Sequence, residues 1–382
     1  MGKTQVMLPR ILLPKLIEQI RNNKLILLKG PRSCGKQTLV TGAIDQLERS
    51  AIHLDLAAKK VRKDLSIATN DELTAQFKGI QLIVLHEAQY MENLENLIEL
   101  VLSDTIPSTL ILCCSFRPVL SEELHEAIRM EGLELELLPM TFYELAQHFT
   151  LPEEEKNLER RLVYGSYPQV IEKQEDAEAA LNELVQEAIF TQLGAGDRIN
   201  KEEKLIKMLQ IISFTIGEPI SYNEIGERCG LDNETVERYV ELLEHCDILF
   251  KLPTYYNGFR YELKKTHVFY FFDNGIRNAL IRNFNPIDLR NDVDALWKNW
   301  LISERIKWNR TSGKQRKYMF WRTHTRQTID LIEFSESGIQ AYKSSWEKRK
   351  KIKFPKQFTD SYPSISTHTL NRSTYWGFLS KK

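Results

Sequence analysis

Residues 25–40 read LILLKGPRSCGKQTLV. An apolar run feeds a Gly-rich turn and then a helix-forming segment, the local order of strand, loop and helix. Gly30, Gly35 and Lys36 fit G-x-x-x-x-G-K, a loop whose backbone amides cradle phosphate at a helix N-terminus. The candidate phosphate-binding set is Gly30, Pro31, Arg32, Ser33, Cys34, Gly35, Lys36, Gln37 and Thr38. The residue after the lysine ordinarily carries a hydroxyl for Mg²⁺, but here it is Gln37. Its longer amide would crowd a small octahedral ion. Thr38 comes one residue late, and a step of about 100° along a helix points it elsewhere. The bland alternative is a Gly turn that binds nothing.

Outward from this stretch, apolar runs alternate with helical patterns. Strands are expected at 25–30, 51–57, 81–89, 108–115 and 133–139, with helices over 9–22, 35–47 and 71–78. That alternation predicts an α/β fold with a parallel sheet covered on both faces. Ligands of such sheets bind beyond the carboxyl ends of the strands. The loop at 30–37, His86-Glu87 and Ser115 all fall there. Glu87 is the candidate catalytic residue, placed to polarise a water. Its neighbour His86 stands where an Asp would hold Mg²⁺, and imidazole is a poor ligand for that ion. A second reading gives His86 a plain role, capping the strand end and bonding nearby backbone. No residue is assigned to a metal.

Further along, residues 142–210 are helical in pattern, with a turn at YGSYP (164–168). Residues 217–272 read as helix, turn, helix, strand, polar loop and strand, a winged-helix pattern. Its second helix, DNETVERYVELLEHCD, holds Glu234, Glu237, Glu241, Glu244 and Asp247 against Arg238. DNA carries a phosphate about every 1.7 Å of axis, so this face favours packing or a protein partner over DNA. Arg260, Lys264 and Lys265 in the loop leave a case for contact with a nucleic-acid backbone. From about residue 296 a helix precedes four strands.

The chain has 382 residues and a net charge of zero. Residues 296–382 nevertheless hold 19 Lys and Arg against 6 Asp and Glu. Such a block suits nucleic acid, an acidic partner or simply a solvated face. No run approaches the ~18 apolar residues of a membrane span, so no membrane partner is expected. The N-terminus is too polar for a secretory signal. Five scattered cysteines without metal spacing point to a reducing cytoplasm.

The segments GPRSCGKQTL, LIVLHEAQYMENL, ELELLPMTFYEL, RLVYGSYPQVI, YFFDNGIRNALI, YMFWRTHTRQTIDLIE and KFPKQFTDSYP together resemble the bacterial AAA-type ATP-binding proteins. Those join a P-loop ATPase domain to a winged helix and a C-terminal domain like the PD-(D/E)xK nucleases. The resemblance implies an AAA-type domain over 1–150, a helical connector and winged helix over 151–275, and a restriction-nuclease-like α/β domain over 276–382. It implies ATP or ADP as ligand, with Mg²⁺ as a further candidate whose usual protein ligands are lost. The chain departs from the family at Gln37, at His86, at Leu112-Cys113-Cys114-Ser115, and at Met130-Glu131, where Arg129 lies close but out of register. In the nuclease-like segment Asp330 matches the first carboxylate, whereas Glu-x-Lys becomes Lys343-Ser344-Ser345. An ion pair between Lys343 and Asp330 is expected in place of a metal site. These departures predict a nucleotide binder with weak or lost hydrolysis. The alternatives are an active ATPase whose Mg²⁺ is held by phosphates, waters and Glu87, and a non-enzymatic DNA- or protein-binding scaffold. Self-association is compatible with each.

Overall fold

Strand β1 (Leu25–Lys29) is buried along LILL and becomes half-buried only at Lys29, the profile of a strand covered on both faces. In this computed structural model, which describes residues 8–131, 133–191, 202–256, 258, 266–348 and 351–380, the chain divides into two units, Met1–Pro139 and Met140–Lys382.

In the first unit β1 joins β2 (Ala51–Asp55), β3 (Leu82–His86), β4 (Thr109–Cys114) and β5 (Glu134–Glu136). All pairings are parallel, in the order β2-β3-β4-β1-β5. The fully apolar runs of β1, β3 and β4 take the centre. Strand β2, with exposed His53 and Asp55, and the three-residue β5 form the edges, as edge strands are commonly short or charged. Helix Leu94–Leu102 buries Leu94, Leu97, Ile98 and Val101, a 3.6-residue stripe. It packs into one core with Leu25, Leu27, Ile83, Leu85, Leu110 and Leu112. Helix Leu12–Asn22 buries its own stripe of Leu12, Leu16 and Ile20.

The second unit opens with helices Phe142–Phe149, Leu151–Tyr164, Pro168–Glu172, Ala177–Val185 and Glu202–Phe214. Gly165, at φ 73°, stops the second of these within the expected YGSYP turn. Next come β6 (Pro219–Ile220), helices Tyr222–Cys229 and Asn233–His245, β7 (Leu249–Pro253) and β8 (His267–Phe271). These strands form an antiparallel sheet in the order β6-β8-β7. Asp232 caps helix Asn233–His245, accepting from the Thr235 amide at 2.8 Å. That helix buries Val236, Tyr239, Val240 and Leu243, while Glu234, Glu237 and Glu241 are exposed. Arg260, Lys264 and Lys265 lie outside the described residues.

Helix Val293–Thr311 leads into β9 (Lys317–Arg322), β10 (Thr328–Ser335), β11 (Gly338–Ser344) and β12 (Ser366–Leu370). The order is β12-β11-β10-β9, with only β11 and β12 parallel. The β9–β10 register slips between Ile329 and Ile332. Three residues apart, these side chains would point to opposite faces of a regular strand. The irregularity brings both into one core with Trp321, Ala341, Phe358, Tyr362 and Ile365.

Candidate functional site

The order β2-β3-β4-β1-β5 sets β4 between the loop strand β1 and β3, so the end of β4 bridges the loop and Glu87. Ser115 does so directly. Its hydroxyl donates to Glu87 Oε1 at 2.6 Å, and Lys36 Nζ lies 3.2 Å from the same Oγ. Gln89 Nε2 holds the other oxygen, Glu87 Oε2, at 2.7 Å, and Gln89 Oε1 accepts from the Ser115 amide at 3.3 Å. Glu87 itself sits at φ 53°, a left-handed conformation uncommon for a non-glycine residue. Both of its carboxylate oxygens therefore have fixed partners.

Lys36 is 7% exposed, and its ammonium also donates to the carbonyls of Gly30 (2.6 Å) and Pro31 (2.9 Å). The cation is folded into the loop it would serve. Gly35, at φ 98°, precedes helix Lys36–Leu47, whose start has no side-chain cap. Ser33 is also left-handed at φ 60°. Residue 30 must be glycine, because a Cβ there would lie 1.9 Å from the Leu137 carbonyl oxygen. Cys34 is fully buried, and its Sγ donates to that same carbonyl at 3.2 Å. Only its backbone is available to a ligand. Arg32 is half-buried, and Gln37 and Thr38 are exposed on the first turn of the helix.

Two residues that no motif indicated also belong here. Arg10 reaches from the start of the described chain to the carbonyls of Cys34 (2.9 Å) and Leu138 (2.5 Å), tying the loop to the segment after β5. His53 meets His86, with Nδ1 and Nε2 3.0 Å apart. Their centroids are 5.3 Å apart and their planes 17° from parallel. With so short an N···N contact at that separation, the rings meet edge to edge around a shared proton rather than face to face. The register explains the meeting: Asp55 pairs with His86, and His53 is on the same side two residues earlier. His86 therefore bonds a side chain, where the plain alternative read from sequence had it bonding backbone. Burial, and then the His53 beside it, push its imidazole below the ordinary value. Arg129 is exposed beside Glu126 at 3.8 Å, and Met130 and Glu131 are exposed too.

Burial raises Cys113 to about 12 and Cys114 well above the ordinary thiol value, so neither is a ready nucleophile. Among the described residues, no group of three or more His, Cys, Asp or Glu side chains is placed to hold a metal ion, and no helix is long and apolar enough to cross a membrane.

In the second unit the expected Lys343–Asp330 pair is replaced. Asp330 is bonded by Lys298 Nζ at 3.0 Å and by the Ser344 amide and hydroxyl at 2.8 and 3.2 Å. Helix Val293–Thr311 delivers Lys298 from some thirty residues upstream, a partner that motif alignment within the strands could not supply. Lys343 is half-buried, and burial drives its amine below the ordinary value. Ser345 instead lies 3.4 Å from Asp294 Oδ1.

A family described as an AAA domain matches residues 22–146, and a domain of unknown function (DUF8612) matches residues 155–287. An uncharacterized protein of Haemophilus influenzae is 20% identical over 294 residues, 70% of this chain and 72% of that one. Among solved structures, a Walker-type ATPase of Pyrococcus abyssi is 17% identical, covering 73% of this chain and 97% of its own, with a TM-score of 0.47. The RuvB Holliday junction branch migration motor of Thermotoga maritima is also 17% identical, over 64% of this chain and 90% of its own, with a TM-score of 0.36. The family match and the five-stranded parallel sheet make residues 22–146 an AAA-type P-loop domain.

Proposed function

We propose that the chain is an AAA-type nucleotide-binding protein that holds ATP or ADP with little or no turnover. The observation that carries this reading is the pairing of a preserved cradle with an altered metal side. An uncapped helix start, two left-handed loop residues and Lys36 suit a phosphate. Residues 30–38 would hold it. Bound Mg²⁺ would supply neutralisation of phosphate charge. The side chains nearest its usual place are the exposed Gln37 amide and an imidazole committed to His53. Glu87 could still orient a water, but its carboxylate is held by Ser115 and Gln89. The place of Glu87 beside the loop is what supports the active ATPase as the first alternative.

The remaining domains follow the same logic. The order of helix Glu202–Phe214, β6, two helices, β7 and β8 supports a winged helix within 151–275, with an acidic exposed helix better suited to a protein than to DNA. Asp330 bound to Lys298 supports a nuclease-like domain over 276–382 that does not cut. A cytoplasmic location fits the free cysteines.

Calorimetric titration with ADP tests the first claim. Lys36→Ala should weaken binding about ten- to hundredfold, the range for losing a charge-assisted contact. Phosphate release from ATP should match buffer for both wild type and Glu87→Gln. Brisk turnover abolished by Glu87→Gln would transfer the assignment to an active ATPase.

A further inference from the structure

One side of the C-terminal sheet carries a cleft of about 490 Å³, lined among others by Arg305, Lys314, Arg316, Glu333, Tyr342 and His368. Three cations there face one carboxylate, and that carboxylate already accepts three hydrogen bonds. Glu333, 2% exposed, accepts from Arg305 Nε at 2.9 Å, from its second nitrogen at 3.1 Å, and from Asn309 at 3.3 Å. Arg305 spends its remaining fork on the Phe378 carbonyl at 2.8 Å. Arg316 is in a different position. Its Nε pairs ionically with Glu333 Oε1 at 3.7 Å but is buried beyond hydrogen-bond range of any partner, while the side chain as a whole is 18% exposed. One carboxylate shared by Arg305 and Arg316, with Lys314 beside them, leaves the cleft with surplus positive charge, and a polar cleft of that kind favours an anion.

We propose that this cleft binds a small phosphate monoester of about nucleotide size. A phosphate monoester brings a charge of about −1.5 to −2 and three acceptor oxygens, which answers Arg316 and Lys314 together. Guanidinium forks suit phosphate geometry. The volume lies within the range of small-molecule sites, about 300–1,000 Å³. Ser335, Ser337, Thr367 and Thr369 add hydroxyls. Tyr342 and His368, stacked at 5.2 Å and 25°, give the organic portion an aromatic wall. This places a specific site within the basic C-terminal block, on residues other than Asp330 and its partners.

The test is calorimetric titration of the full chain carrying Lys36→Ala, which weakens binding at the loop 30–38. Adenosine 5′-monophosphate, inorganic phosphate and a duplex DNA are the separate probes. Adenosine monophosphate should bind, inorganic phosphate more weakly, and Arg316→Gln should weaken both about ten- to hundredfold. Ser337→Asp, an exposed turn substitution that leaves the Glu333 network intact, should weaken binding in the same direction. No binding of either small probe, affinities indifferent to both substitutions, or loss confined to the DNA would overturn the proposal.

Discussion

Replacing Gly30 by alanine tests how tightly the phosphate loop is built against its own sheet. The new Cβ would meet the Leu137 carbonyl oxygen at 1.9 Å and Cys34 Sγ at 3.2 Å. Ordinary contact begins near 3.4 Å, so the first neighbour must retreat by about 1.5 Å. That neighbour is backbone, tied to the Lys29 carbonyl through the Leu137 amide at 2.8 Å and accepting from Cys34 at 3.2 Å. Overpacking of this kind costs about 1–3 kcal/mol, and each weakened hydrogen bond adds about 1 kcal/mol. A loss of roughly 2–5 kcal/mol in a unit of this size lowers Tm by roughly 6–15 °C. Gly30 has no positive φ, so the effect is steric alone. Differential scanning fluorimetry of Gly30→Ala against Gly377→Ala, whose added Cβ meets nothing within 4 Å, reads it out. An unchanged melting profile in Gly30→Ala would refute the close approach.

Three further outcomes are expected. Restoring both metal-side positions with Gln37→Thr and His86→Asp should make ATP binding respond to Mg²⁺, read by titration with the metal and with EDTA. Lys298→Met should destabilise the second unit by about 3 kcal/mol, the lower end for stranding a buried charge, because Asp330 would keep only its Ser344 bonds; urea unfolding followed by Trp fluorescence measures it. His86 has a folded-state pKa below its unfolded value of about 6.5, so the unfolded chain binds the extra proton. Its contribution to stability is therefore present above that pH and lost as pH falls from there through the folded value; melting curves across this window should flatten in His86→Asn.

The middle of the first sheet was legible because β1, β3 and β4 are uninterrupted apolar runs, ending at Lys29-Gly30, at His86-Glu87 and at Ser115. The crevice was legible for the same reason: the loop, Glu87 and Ser115 are all strand-end residues. What escaped depends on register and distance in sequence. His53 joins His86 only because two parallel strands align Asp55 with His86. Arg10 precedes Cys34, the loop residue whose carbonyl it binds, by 24 residues and has no motif of its own. Lys298 displaced Lys343 as the partner of Asp330 because a helix, not the neighbouring strand position, delivers the nearer ammonium. The slip between Ile329 and Ile332 also cannot be read from alternation, since alternation is what it breaks.

The most direct test of a retained cradle without a metal grip is the affinity of wild-type protein for ATP, titrated once with excess Mg²⁺ and once with EDTA. The account predicts two dissociation constants within about threefold, under 1 kcal/mol apart, and both weakened by Lys36→Ala. Binding that appears only with Mg²⁺ would contradict it.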